Sequence, residues 1–391
     1  MNGDRSRRPV AISRQPKQVN VVLLIGTLNL GITAIVGALL RFFPDPRLSS
    51  SSITFGARIP PDRTEDPVIL QQRRRYGSIL LVTTPVIALL AALAGSLLGS
   101  VVPAGVGVVV LCLVAAALWA GAHRAISQAK DTGNWYGHLR QGAVTDTSLR
   151  TDPVRFPWPW TIPSALIIAA TAVAGVIAYP DLPETLTVPR HSFGETSYPE
   201  YPTTVGTAFS LVFVQVVLTV FTAGMVGLAL RARPDLDAAQ PRDSAARYRE
   251  HLAGTARAIL GTATLLNLML AGLSAAIWSE VHSGRLLAGI VGVPLAASLA
   301  VAAYLVLRVG GGGSGVPAAE APTGFVQRDD DRHWPAAGLL YLNANDPAVL
   351  VPSRVGRGWT VNLGNPRFLA GAAATLAAAG GAAAMFALFW K

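Results

Sequence analysis

A chain of 391 residues that is 51% hydrophobic and only 14% charged carries more apolar surface than a water-soluble core can hide, since soluble domains average about 25% charged residues. The mean hydropathy of +0.43 agrees, so lipid must serve as part of the solvent. The net charge of +10 comes from Lys and Arg scattered in short segments beside apolar runs, which argues for anchored loops and against a nucleic-acid-binding face.

The polar N-terminal tail, 1–18, carries Arg5, Arg7 and Arg8. The apolar run after it is long enough to stay in the membrane as a helix, with no short core and cleavage site of a signal peptide. A span needs about 20 apolar residues. Eight runs qualify, at 19–40, 79–98, 104–122, 158–179, 205–230, 258–278, 286–307 and 368–390, and none contains a charge. The expected fold is therefore an all-α integral membrane protein with about eight transmembrane helices.

In chain order, a three-helix membrane unit, 19–123, contains a basic inner loop at 44–78. A cytosolic loop, 124–157, leads to a four-helix unit, 158–307, with an outer loop at 180–204. A flexible Gly-rich linker follows at 308–332. A C-terminal module, 333–367, precedes the last helix, 368–391, whose Ala and Gly suit close helix packing. In the module, Trp359-Thr360-Val361-Asn362-Leu363 alternates apolar and polar residues, the period of a strand with one buried face. With the apolar run 348–351 and the intervening Gly356 and Gly358, it predicts a small cytosolic β-hairpin. A lone hairpin is marginal, so it needs support, and the helix ends are the nearest.

Orientation follows the basic residues. With the N-terminus outside, the inner segments 44–78, 123–157, 231–257 and 308–367 hold 23 Lys and Arg, and the outer ones hold 8. This split predicts a plasma-membrane protein with the N-terminus outside and the long loops inside.

Several stretches resemble a family of bacterial multi-pass membrane proteins carrying the domain of unknown function shared with the Sdp toxin-immunity protein (SdpI-like). They are FGARIPPDRTEDP at 55–67 with RRRY at 73–76, and HRAISQ and DTSLR between His123 and Arg150 leading into Trp158 and Trp160. YPDLPETLTV follows at 179–188. YLNANDPAVLVPSRVGRGWTVNLGNP, at 341–366, is similar to a second C-terminal domain of unknown function. After the third stretch the family pattern has His and Phe adjacent, whereas Ser192 separates His191 from Phe193 here. The resemblance implies a membrane receptor that protects against a secreted toxin and engages a cytosolic regulator.

The search for chemistry leaves little. The histidines form no H-E-x-x-H, and there is no G-x-S-x-G or P-loop, so no enzyme, cofactor or metal site is expected. The single cysteine, Cys112, lies in an apolar run and excludes an intrachain disulfide. Asp329-Asp330-Asp331 lacks the spacing of a calcium loop and reads as a solvated acidic patch. Gln215 and Asn267 lie in mid-span and are expected to form interhelical hydrogen bonds.

The outer loop, with Glu184, His191, Glu195 and Glu200 among Tyr and Pro, is a candidate surface for a cationic extracellular peptide. In the module, Arg354 and Arg357 are placed to reach anionic headgroups, with Trp334 and Trp359 at the membrane interface. The expected function is a non-enzymatic receptor or immunity-like factor whose partners are the bilayer, an extracellular peptide and a cytosolic regulator, with no nucleic acid. The alternative is a transporter, suggested by the echo of Phe43-Pro44-Asp45-Pro46 in Tyr179-Pro180-Asp181-Leu182-Pro183, each closing a span.

Overall fold

The computed structural model describes residues 15–45, 52–142, 148–187, 190–192, 195–197, 199–281, 283–304, 320–356 and 358–373. The protein is mostly helical. Among the described residues seven helices are long and apolar enough to cross a membrane, and each of the first seven expected runs supplies one. Residues 366–373 begin a further helix, but the rest of the eighth run lies outside the described residues.

The chain divides into two compact units. The first holds α1 (Gln15–Phe42), the part of α2 (Pro67–Leu98) from Arg75 onward, and the part of α3 (Val102–Thr132) up to Leu118. Its outward side chains are the apolar ones, as lipid requires: Leu97 is 77% and Leu98 71% exposed. The buried residues include Leu80 and Leu111 but are otherwise mostly polar or small, such as Asn29, Thr33, Ala88 and Ala104. Asn29 is fully buried; its Nδ2 donates to the Ser100 carbonyl at 3.0 Å and its Oδ1 accepts from the Ala104 N–H at 2.7 Å. One side chain of α1 thus satisfies the backbone of the turn joining α2 to α3, where hydrocarbon offers no water partner. Tyr76 likewise donates to the Leu40 carbonyl at 3.0 Å.

In the second unit, the four-residue α4 (Ser148–Thr151) precedes a bundle in which α8 (Pro241–Trp278) packs against α5 (Ile162–Ala178), α7 (Ser210–Ala229) and α9 (Gly284–Tyr304). Between α5 and α7, the four-residue helix α6 (Val205–Ala208) starts at a reciprocal Thr204–Thr207 capping box. The expected interhelical bonds are present. Gln215 Nε2 donates to the Asn267 carbonyl at 2.8 Å, Asn267 Nδ2 donates to Thr219 Oγ1 at 2.8 Å, and both residues are fully buried. Such bonds are worth about 0.6 kcal/mol each in a bilayer. At the start of α8, the Glu320 carboxylate accepts from the Arg242 N–H at 2.8 Å, while Asp243 accepts from the Glu320 N–H at 3.1 Å. An acid from 77 to 78 residues downstream therefore caps the helix and suits its positive end.

Short strand pairs complete this unit. β1 (Ile53–Thr54) and β2 (Ala57–Arg58) form a tight hairpin before α2. β3 (Gln141–Gly142) pairs in parallel with β8 (Val326–Gln327). β4 (Thr185–Thr187) pairs antiparallel with β7 (Glu200–Pro202), with Leu186 opposite Tyr201. The stretch expected as the outer loop, 180–204, is in part a hairpin, which its Pro residues conceal in the sequence. β5 (Arg190–Ser192) and β6 (Glu195–Ser197) form a separate two-stranded sheet, most of which, His191–Thr196, belongs to the first unit. β9 (Leu350–Pro352) and β10 (Trp359–Val361) are the strands expected in the C-terminal module, with Thr360 opposite Val351.

Two expectations need correction. The linker was read as flexible as far as 332, yet from 320 it is fastened: Thr323 Oγ1 donates to the Ala238 carbonyl at 2.6 Å, and β8 joins β3. The apolar face of β10 was expected to be the buried one, but Trp359, Val361 and Leu363 are only half-buried while Asn362 is fully buried. Its Nδ2 donates to the carbonyls of Asn343, Asp346 and Ala348 at 2.8 to 3.2 Å, and its Oδ1 accepts from the N–H groups of Asn343 and Gly364. The module's apolar core is small, Trp334, Tyr341 and Val351 with Ala348 against them, and side-chain amides take up the backbone groups around it.

Candidate functional site

The module is fixed by charges drawn from five separate segments of the second unit. Arg58 closes β2, Lys130 lies in the last turn of α3, Asp235 follows α7, Asp329–Asp331 follow β8, and Arg354 sits between β9 and β10. Arg58 Nε meets Asp330 and its Nη2 meets Asp235, both at 2.9 Å. Arg354 Nη2 meets Asp330 at 2.6 Å and its Nη1 meets Asp331 at 2.5 Å. Lys130 pairs with Asp329 at 2.8 Å and also with Asp331.

Burial decides how strong these pairs are. The side chains of Arg354, Arg58 and Lys130 are 1%, 5% and 6% exposed, so little water screens them. Burial alone would lower the Arg58 pKa; Asp235 and Asp330 outweigh it and hold the pKa above its ordinary value. Burial would raise the Asp330 carboxyl, but Arg58 and Arg354 outweigh it and hold it at about 2. Asp331 is held low against the same burial by Arg354 and Lys130. Arg58 therefore stays charged across the physiological range, and so do these two acids. Trp334 completes the cage: its ring lies 4.7 Å beneath the Arg354 guanidinium, and its Nε1 donates to Asp330 at 3.2 Å.

A second device sits beside the network. Phe55, at φ +46°, precedes Gly56 at +74°, and Ala336 and Ala337, at +52° and +57°, precede Gly338 at +79°. Two left-handed turns thus face each other. A Cβ on Gly338 would lie 2.5 Å from the Gly56 Cα, so neither glycine can be replaced without moving backbone. The left-handed region costs a non-glycine residue about 1–2 kcal/mol. The neighbours of the turns offset that cost. Trp119 Nε1 donates to the Ala337 carbonyl at 2.9 Å, His123 Nδ1 bonds the Phe55 carbonyl at 2.9 Å, and Arg354 Nη1 donates to the Gly56 carbonyl at 2.7 Å. A carbonyl only accepts, so the His123 proton is on Nδ1.

The sequence-based site residues divide. Arg354 does not reach toward headgroups; it is buried in the ion-pair network, and Trp334 is buried with it. Their expected place at the membrane interface is corrected by the acids that attract the guanidinium inward. Arg357 lies outside the described residues. Trp359 is half-buried, with its ring 6.3 Å from that of His251. The acidic triplet is not a solvated patch: Asp329, Asp330 and Asp331 are 29%, 24% and 20% exposed and each is ion-paired. Glu184 and Glu200 are exposed at the β4–β7 hairpin. His191 and Glu195 fall in β5 and β6, and their side chains lie outside the description.

Arg58, Lys130 and Asp235 escaped sequence reasoning. Arg58 is 272 residues from Asp330, and Lys130 is 199 from Asp329, so no local spacing links them. Among the described residues no group of His, Cys, Asp and Glu is arranged to hold a metal ion.

Residues 344–368 match a family of unknown function (DUF5808). The match takes in Asp346, Arg354, Trp359, Asn362 and Asn365, and so covers most of the module's internal framework. No curated protein and no solved structure matches the chain.

Proposed function

We propose that this protein is a non-enzymatic membrane receptor that meets an extracellular cationic peptide or envelope stress and presents its C-terminal module to a cytosolic regulator. The observation that carries the reading is the network of Arg58, Lys130 and Arg354 with Asp235 and Asp329–Asp331, which ties the module to segments ending the membrane helices. A module held in this way follows the helices, as a signalling surface must. The resemblance to the Sdp immunity protein and the 23-to-8 charge split support the same orientation, with the module inside and the β4–β7 hairpin outside. Glu184 and Glu200 on that hairpin offer exposed negative charge to a cationic ligand.

The test is deletion of the gene followed by challenge with cationic toxic peptides, with complementation by the wild type and by the double variant Glu184→Gln, Glu200→Gln. The reading expects sensitised cells that the wild type rescues and the double variant, at equal membrane abundance, does not. Full rescue by the variant would remove the hairpin from the ligand surface.

A transporter is the second reading, favoured by Gln215 and Asn267, two fully buried amides in mid-bundle. Solute uptake into proteoliposomes that is lost in Gln215→Leu would favour it over the receptor.

A further inference from the structure

We propose that the two facing left-handed turns, 55–56 and 336–338, form a two-state clasp that α3 holds shut through Trp119 and His123. The clasp is a regulatory device of the fold and does not depend on the identity of any ligand.

Strain supplies the opening force. Phe55, Ala336 and Ala337 all sit in the left-handed region, and each relaxes when the turns part. Contact supplies the two-state character. Gly56 and Gly338 meet backbone to backbone, so the turns cannot slide gradually past each other. Either they interlock or they separate. Separation breaks the Arg354 bond to the Gly56 carbonyl and moves the Arg58 N–H away from Asp331, which it meets at 3.0 Å.

The reader of the clasp is α3. Trp119 and His123 stand four residues apart, so they lie on one face of the helix. One bonds the 336–338 turn and the other bonds the 55–56 turn. The Trp119 ring also packs edge-on against Phe55 at 5.2 Å. A rotation or axial shift of α3 therefore loosens both turns together.

Amide hydrogen exchange on the full chain in phosphatidylcholine–phosphatidylglycerol nanodiscs tests this, followed in peptides covering 52–58 and 333–343. Trp119→Phe keeps the packing on Phe55 and deletes the Nε1 bond. It should speed exchange in both peptides together, by about five- to tenfold. The double variant Ala336→Gly, Ala337→Gly relieves the strain and should slow exchange in both by about tenfold or more. Ala246→Gly, on the exposed face of α8, controls for the backbone freedom that glycine adds. It should leave both peptides unchanged. Two results would overturn the clasp: faster or unaltered exchange in the double-glycine variant, or a Trp119→Phe effect confined to one peptide.

Discussion

Arg354 and Asp330 meet at 2.6 Å, the arginine 1% and the aspartate 24% exposed, so a nearly dry guanidinium depends on acids that water still reaches. Removing the cation leaves Asp330 paired with Arg58 and Asp331 paired with Lys130. Arg354→Ala should destabilise the docked module by about 3–5 kcal/mol, the usual result of breaking a buried pair from one side. Arg354→Lys should recover only part of this, because one ammonium cannot serve Asp330, Asp331 and the Gly56 carbonyl in the same plane. Limited proteolysis of inside-out vesicles measures both effects, as the rate at which the module is cut.

The pH dependence has a definite sign. The folded pKa of Asp330, about 2, lies below its ordinary value. Its contribution is therefore complete above about pH 4 and is lost as the pH falls from there toward 2. Asp331 is shifted in the same direction and adds to the loss. Proteolytic resistance of the module should be flat from pH 5 to 8. A transition near pH 6 would show that some other titrating group, and not this network, governs docking.

Asn362 is the internal brace of the module. Asn362→Leu preserves volume but removes the acceptor of the Asn343 and Gly364 N–H groups and one donor from the carbonyls of Asn343, Asp346 and Ala348, which keep bonds from the Asp346 N–H and from Asn365. The expected cost is about 1–3 kcal/mol, read as faster amide exchange across β9 and β10. Thr360→Val, on the same strand, should cost little, and a larger effect there would shift the brace away from Asn362.

Orientation is open to a labelling experiment in a Cys112→Ala background. Asp62→Cys, at an exposed position before α2, should resist a membrane-impermeant thiol reagent in intact cells, and Glu184→Cys should react. The reverse pattern would exchange every inner and outer assignment made here.

The spans were legible because lipid imposes one simple rule, about 20 apolar residues, and the chain obeys it seven times among the described residues. Gln215 and Asn267 were also legible as polar residues in apolar runs, and they proved to be buried contacts. The network was not. A charge such as Arg58 or Lys130 looks the same in sequence whether it anchors a loop or fills a cage, and its partners lie hundreds of residues away. The β10 pattern misled for a related reason. Alternation shows that a strand has two faces, but here the buried face is the one carrying Asn362, beside the core residue Val351 of β9, because the amide there satisfies backbone groups as well.

The 38 residues of α8 give it a length of about 57 Å, against a hydrocarbon layer of about 30 Å. Some 27 Å of rigid shaft therefore projects as a lever, with the Glu320 cap at its far end. A change in tilt of about 10°, within the range that bilayer thickness imposes on membrane helices, would swing that tip by about 5 Å. Helix length here sets a mechanical gain: a small lean inside the lipid becomes, at the tip, a displacement wider than any hydrogen bond can span.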